Sequence, residues 1–117
     1  LAAAMNTAAL ADIKDYEFQL VEKTLKEGEA VLSVRLIDKK SGKPVPDAVI
    51  FASRLDMAPD GMAAMTTKLE TLQATDPGIY RFKTNLSMQG RWQLSLGAKV
   101  QGETGSLENK LILEATP

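Results

Sequence analysis

The sequence predicts an all-β fold, a seven-stranded antiparallel β-sandwich of the immunoglobulin-like kind. Apolar residues recur at every second position in several segments, and turn residues separate those segments at spacings of roughly 8–14 residues. The Gly and Pro residues are spaced too closely for a long helix after residue 25. A length of 117 residues suits a single core, and we expect one domain over residues 14–117.

The chain begins with an alanine-rich segment that has no clear core face. We expect residues 1–13 to form a lead-in or linker, either flexible or briefly helical. Its opening, Leu1-Ala2-Ala3-Ala4-Met5, is compatible with the end of a processed signal peptide and equally with an ordinary frayed terminus.

Alternation of apolar and polar residues marks the strands, because each strand buries one face. The predicted strands cover residues 15–24, 30–37, 49–55, 68–75, 80–86, 92–100 and 107–115. The segment that begins at Trp92 alternates most regularly. In the third strand one parity is shared by Val49, Phe51, Ser53 and Leu55, and it continues to Met57. Polar turns such as Asp76-Pro77-Gly78 separate the strands.

The composition argues against several functions. The net charge is −1 and the Lys and Arg residues are scattered, so nucleic acid has no basic surface to bind. No apolar run approaches the ~20 residues of a membrane helix, so we expect membrane attachment only through a partner or a missing anchor. The chain has no Cys and no His, which removes disulfides, thiolate sites and the usual catalytic base. We therefore do not expect an enzyme.

The methionines are the most informative candidates for a site. Three of the five, Met57, Met62 and Met65, lie within one stretch broken by Pro59 and Gly61. Met88 lies in a second turn. Thioethers are soft ligands that select soft ions, so this pattern predicts binding of Cu(I) or Ag(I).

The two Met-bearing turns are expected to meet at one end of the sandwich. If Asp60 caps a short helical turn, Met62 and Met65 lie on the same side of it. Trp92, four residues beyond Met88, would then stand beside the ion and add a cation–π attraction.

Packing is the alternative interpretation of the same residues, because Met fills irregular gaps in cores. Met57 fits the inward parity of the third strand. Met62 and Met65 would cover the open end of the sandwich against Trp92, and Met88 would plug its own turn. Trp92 itself suits the central aromatic position of the core.

Several segments together resemble the FixH-like/YtkA-like domain, over about residues 15–115. The matching features are a Met-bearing loop, a P-G-x-Y strand start, an M-x-G-x-W turn and a G-K-P-V turn. They are found in Arg54-Leu55-Asp56-Met57-Ala58-Pro59-Asp60-Gly61-Met62, Asp76-Pro77-Gly78-Ile79-Tyr80, Leu86-Ser87-Met88-Gln89-Gly90-Arg91-Trp92 and Gly42-Lys43-Pro44-Val45.

The resemblance implies a periplasmic β-sandwich in a Gram-negative bacterium. It also implies a protein partner, either a copper acceptor or an adaptor or pump component of a heavy-metal resistance–nodulation–division efflux system. The implied metal positions are Met57, Met62, Met65 and Met88, with Trp92 beside them. Many periplasmic copper carriers add a His, which this chain lacks, so Cu(I) or Ag(I) fits better than Cu(II).

A second hypothesis assigns the domain to another class, a structural or interaction module of an efflux adaptor that binds no ion. Here the Met loop is a soft contact surface. Exposure separates the two hypotheses: thioethers that converge on solvent favour metal, and thioethers buried against Leu55, Leu86 and Trp92 favour packing.

Overall fold

A computed structural model describes residues 12–117 of the chain. Residues 1–11, most of the expected lead-in, lie outside the described residues. The described part opens with a 3₁₀ turn, Ile13–Asp15, capped by Asp12, whose carboxylate accepts a hydrogen bond from the Lys14 N–H. Within residues 12–117 no helix has the length and apolar character needed to cross a membrane.

The described chain is all-β and forms two sheets, which confirms the predicted sandwich. Its strands are β1 (Tyr16–Leu20), β2 (Thr24–Lys26), β3 (Gly28–Asp38), β4 (Val49–Met57), β5 (Met62–Thr67), β6 (Leu69–Leu72), β7 (Ile79–Leu86), β8 (Gly90–Lys99) and β9 (Leu107–Thr116). There are nine strands in this part of the chain rather than seven. One extra strand arises because the predicted strand over 15–24 splits into β1 and β2. The other, β5, occupies part of the expected Met loop.

One sheet has the strand order β1-β3-β7-β6 and the other has the order β2-β9-β8-β4-β5. The pairing is antiparallel except between β2 and β9, which run parallel. The chain changes sheets between Leu20 and Thr24. This crossing splits the first predicted strand, because a single straight strand cannot pair in both layers.

The core lies between the two sheets, where the inward faces of the strands meet. The predicted parity of β3 and β8 is confirmed, since their alternate apolar residues are buried. The buried apolar residues are Phe18, Leu32, Val34, Leu36, Leu55, Met57, Phe82, Leu86, Trp92, Leu94, Leu96, Ala98, Val100, Leu107, Leu113 and Ala115. Tyr80 adds an edge-to-face contact with Phe18, at a ring separation of 6.1 Å.

The predicted inward face of β4 is wrong at its first residues. A register shift between Ile50 and Ala52 leaves Phe51 as an extra residue, so Val49 and Phe51 are exposed. Beyond the shift Ser53 is also exposed, contrary to the prediction, whereas Leu55 and Met57 are buried and fit the predicted parity. Strict alternation fails here because a bulge adds one residue to one strand.

The loop before β4 is tied to the sheet by Tyr80. Its hydroxyl donates to the Val45 carbonyl at 2.6 Å and accepts from the Ala48 N–H at 3.1 Å. Gly78 is also buried against this loop, with φ +80°, and a Cβ on it would lie 2.5 Å from the Cβ of Pro44. Only glycine fits this approach.

Replacing Gly78 by Ala is expected to destabilise the fold through two effects, the positive φ and the clash with Pro44. The matched control is Gly42→Ala, at φ +74° with no atom within 4 Å of the added Cβ. Gly42→Ala should cost about 1 kcal/mol, and Gly78→Ala about 1–3 kcal/mol more. Urea unfolding measures the free energy of unfolding of both variants. Equal decreases would contradict the close contact between residue 78 and Pro44.

Candidate functional site

Met57, the last residue of β4, belongs to the core, with 0% of its surface exposed. It stands opposite Met62, the first residue of β5. The pair lies at an irregularity, because the β4–β5 register shifts between Asp56 and Met57, and Met57 has a non-extended backbone with φ −102° and ψ 35°. The pairing therefore brings the two backbones together at this end of the sandwich, while the Met57 side chain is in the core and Met62 is exposed.

An ion pair joins the Met-bearing turn to the turn before β8. The Asp60 carboxylate accepts one hydrogen bond from the Arg91 N–H at 2.8 Å and another from Arg91 Nε at 2.9 Å. Arg91 Nη2 also donates to the Pro59 carbonyl at 2.8 Å. The expectation that both Met-bearing segments reach the same end is confirmed by this contact.

Gly90 lets these two segments approach closely. It has φ +133°, and a Cβ on it would lie 2.7 Å from Met57 Cε and 2.5 Å from Asp60 Oδ2. The Met57 methyl therefore lies beneath the turn that carries Met88. Any larger residue at this position would push the two segments apart.

Trp92 is fully buried, as expected of the central core aromatic. Its indole N–H donates to the Met88 carbonyl at 3.0 Å, which satisfies the only polar atom of the side chain and fixes the turn. The cation–π role of Trp92 toward an ion stays a prediction.

The remaining methionines differ in exposure. Met62 is 37% exposed, whereas Met65 and Met88 are partly buried and pack against the core. By the exposure criterion, Met57, Met65 and Met88 favour packing, and of these four methionines Met62 alone is exposed to solvent. The expected helical turn capped by Asp60 is wrong. Asp60 instead ends a 3₁₀ turn, Ala58–Asp60, and Met62 starts a strand. Met65 falls in the irregular stretch where the β4–β5 register shifts, so the two residues do not share a helix face.

Asp56, next to Met57 on β4, stabilises the 3₁₀ turn Ala58–Asp60. Burial raises its pKa, but the Ala58 N–H and the Arg54 guanidinium both hydrogen-bond the carboxylate, and together they hold the pKa below its ordinary value. Arg54 also donates to the Ala63 carbonyl at 2.8 Å, which ties down the irregular stretch of β5. Among residues 12–117 no three acidic side chains are grouped closely enough to hold a metal ion.

Sequence reasoning missed the Asp60–Arg91 pair. The two residues are 31 positions apart, and the sequence contains nothing that pairs one particular Asp with one particular Arg. The only local signals were the glycines beside them, Gly61 and Gly90, which mark turns without saying which turns meet.

Two sheets packed face to face, without a long helix in the described residues, define this molecule as an immunoglobulin-like β-sandwich domain. The sequence profile of the YtkA-like family matches residues 10–97. The chain therefore belongs to the YtkA-like family. The comparison with curated proteins gives no match.

Solved structures with the same architecture include the crystal structure of the Lin-41 filamin domain. It is 19% identical over 91% of this chain and 94% of that one, with a TM-score of 0.51. The ZirS C-terminal domain is 10% identical over 100% of this chain and 78% of its own, with a TM-score of 0.50. At these identities the likeness concerns the fold alone.

The Asp60–Arg91 contact predicts a pH-dependent contribution to stability. Hydrogen bonds from the Arg91 N–H and guanidinium lower the pKa of Asp60. A carboxyl with a lowered folded-state pKa stabilises the fold above its unfolded pKa, about 3.9, and loses that contribution as the pH falls through the folded value. Asp60→Asn should therefore lower the Tm at pH 7. The difference in Tm between the variant and wild type should become smaller below about pH 4.

Thermal melts across this pH range test the expectation. Asp76→Asn is the control, because Asp76 is an exposed carboxylate in a turn. If the Tm difference between Asp60→Asn and wild type is the same at neutral and acid pH, the ion pair is not the cause of that difference.

Proposed function

We propose that this domain binds Cu(I) or Ag(I) through methionine thioethers, at the end of the sandwich where its two Met-bearing segments meet. One observation carries the proposal. Met57 and Met62 oppose each other, and the Met57 methyl lies under the turn that holds Met88. Two segments that carry soft sulfur donors thereby meet at one end of the sandwich, which supports a soft-ion site there.

The donors differ in how an ion would reach them. Met62 is the most exposed, and partly buried Met88 comes from the facing turn. Met57 is closed off from solvent and supports the site by packing from below. Met65, on β5, is proposed as a further donor. Thioethers are neutral, so the charge of the ion stays uncompensated, which favours exchange with a partner rather than permanent storage.

The proposed setting is the periplasm, in a heavy-metal efflux or copper-homeostasis system. Membership of the YtkA-like family supports the periplasmic part of this setting, because a YtkA-like sandwich fits a module of the periplasmic type. In this setting the partner is an efflux adaptor, a pump component or a copper acceptor with its own thioether site.

An anaerobic Cu(I) titration against a chromogenic Cu(I) competitor tests the proposal, with Met methyl NMR shifts followed in parallel. Wild type is expected to bind stoichiometrically, with shifts at Met62 and Met88. The double variant Met62→Leu/Met88→Leu keeps the side-chain size and removes both sulfurs. Its affinity should fall at least about tenfold, or 1.4 kcal/mol.

The matched control is Met5→Leu, a substitution outside the described residues, which should leave the affinity unchanged. No binding at micromolar Cu(I), or equal binding by the double variant, would overturn the proposal.

Exposed Phe51 supports a second function, a protein-interaction module of an efflux adaptor that binds no ion. The bulge in β4 leaves Phe51 55% exposed, and its ring covers Gly97, where a Cβ would lie 3.0 Å from Phe51 Cζ. Aromatic residues are enriched at protein interfaces.

Phe51→Ser should weaken binding to the adaptor in calorimetry, while Val21→Ser, at another exposed position, should not. Equal binding by both variants would exclude this surface.

A further inference from the structure

The two sheets leave two strand edges facing each other along one side of the sandwich. Among the strands of residues 12–117, β1 pairs only with β3, and its other edge lies beside β9, where the Phe18 N–H meets Asn109. β9 pairs with β8 along its length, but with β2 only at Glu114–Thr116. Most of the β9 edge therefore has no neighbouring strand within residues 12–117.

The hydrogen bonds show which backbone groups point into the gap. Just after β1 the Val21 N–H donates to the Ser33 carbonyl of β3, whereas the Phe18 N–H of β1 points the other way, to Asn109 Oδ1. Because direction alternates along a strand, the N–H and C=O of Leu20 also face the gap.

The same reasoning applies to β9. The Glu114 N–H donates to the Lys23 carbonyl, away from β8. The β8–β9 register is regular, so the N–H groups of Lys110 and Ile112 point in the same direction. The strand pairing of residues 12–117 gives these amides no partner.

Asn109 already acts as a substitute for part of a strand in this gap. Its Oδ1 accepts from the Phe18 N–H at 2.8 Å, and its Nδ2 donates to the Glu108 carbonyl at 2.9 Å. One side-chain amide thus satisfies a donor on β1 and an acceptor on β9, as a peptide unit of an intervening strand would. Beyond Asn109 no such substitute is present in the described chain.

The gap is a groove with space for a chain. Its volume is about 730 Å³, and its lining includes Leu20, Leu111, Ile112, Lys23 and Lys110. Ile112 is an apolar side chain that is 52% exposed. The lining therefore offers unpaired main-chain donors, apolar contacts, the two positive charges of Lys23 and Lys110, and one negative charge, that of Glu17.

We propose that this groove binds an extended segment of a partner polypeptide, which adds as a strand to the β9 edge at Lys110 and Ile112. The position continues the line of β2, which already uses the neighbouring part of this edge. Main-chain hydrogen bonds supply affinity in such strand addition, and alternate side chains supply specificity. The fitting segment has apolar residues at every second position and an acidic residue to meet Lys23 or Lys110.

This site shares no residue with the methionine region, so either proposal can fail alone. Random octapeptides displayed on phage are selected for binding to the whole chain. The most enriched sequence is then synthesised and titrated into isotope-labelled protein, with the amide NMR signals followed. We expect an alternating apolar sequence with an acidic residue. We also expect amide shifts centred on Leu20, Lys110 and Ile112.

Two independent changes test strand pairing. Ile112→Pro removes a donor that faces outward and so preserves native pairing, while Ile112→Val keeps the donor. The proline variant should bind about tenfold more weakly than the valine variant, roughly the effect of one main-chain hydrogen bond. If the proline variant does not fold, the peptide is changed instead. Two peptides are made, one N-methylated at its odd-numbered amides and the other at its even-numbered amides, and only one of the two should lose binding.

Other outcomes overturn the proposal. The first is that no selected peptide binds with millimolar affinity or better, and the second is that the amide shifts centre on Phe51. The third is that the proline and valine variants bind the peptide equally. The fourth is that the two N-methylated peptides lose binding to the same extent. Concentration-dependent dimerisation that buries the same amides would assign the groove to a second copy of this chain instead.

Discussion

The apolar inner face of β8 holds the two layers together. This strand lies between β9 and β4 in its own sheet, and Trp92, Leu94 and Leu96 project from it into the core. Burial of each such side chain contributes roughly 1.5–3 kcal/mol. Trp92 can be buried completely because its N–H finds the Met88 carbonyl. The same hydrogen bond orients the turn that carries a candidate ligand, so the core and the site are physically coupled.

This coupling explains why the methionine end has a defined shape. Asp60 and Arg91 are only partly buried, and exposed ion pairs usually contribute little to stability. Their value lies in geometry, because three hydrogen bonds fix one turn against another. Gly90 permits the approach, and Met57 fills the space below. Met57 therefore follows the packing interpretation of the sequence, since it is fully buried in the core, and its role beside a metal ion stays a proposal.

Sandwiches also have to manage strand edges, which can pair with other chains. This domain covers one part of the β9 edge with β2 and a second part with the Asn109 amide. The stretch between them is left without either device in the described residues. A binding function at this edge would thus be separate from the methionine end, and the two surfaces would allow the domain to contact a protein and an ion independently.

The sequence by itself determined the architecture and most of the core, because a period of two residues follows directly from burying one face of a strand. That reasoning predicted the inward faces of β3 and β8, and it offered burial of Met57 and Trp92 as one of two interpretations of those residues. Only the tertiary structure decided the bulge at Phe51, the crossing into β2, and the Asp60–Arg91 contact. Each of these depends on how distant strands align, and local alternation carries no information about the register between strands.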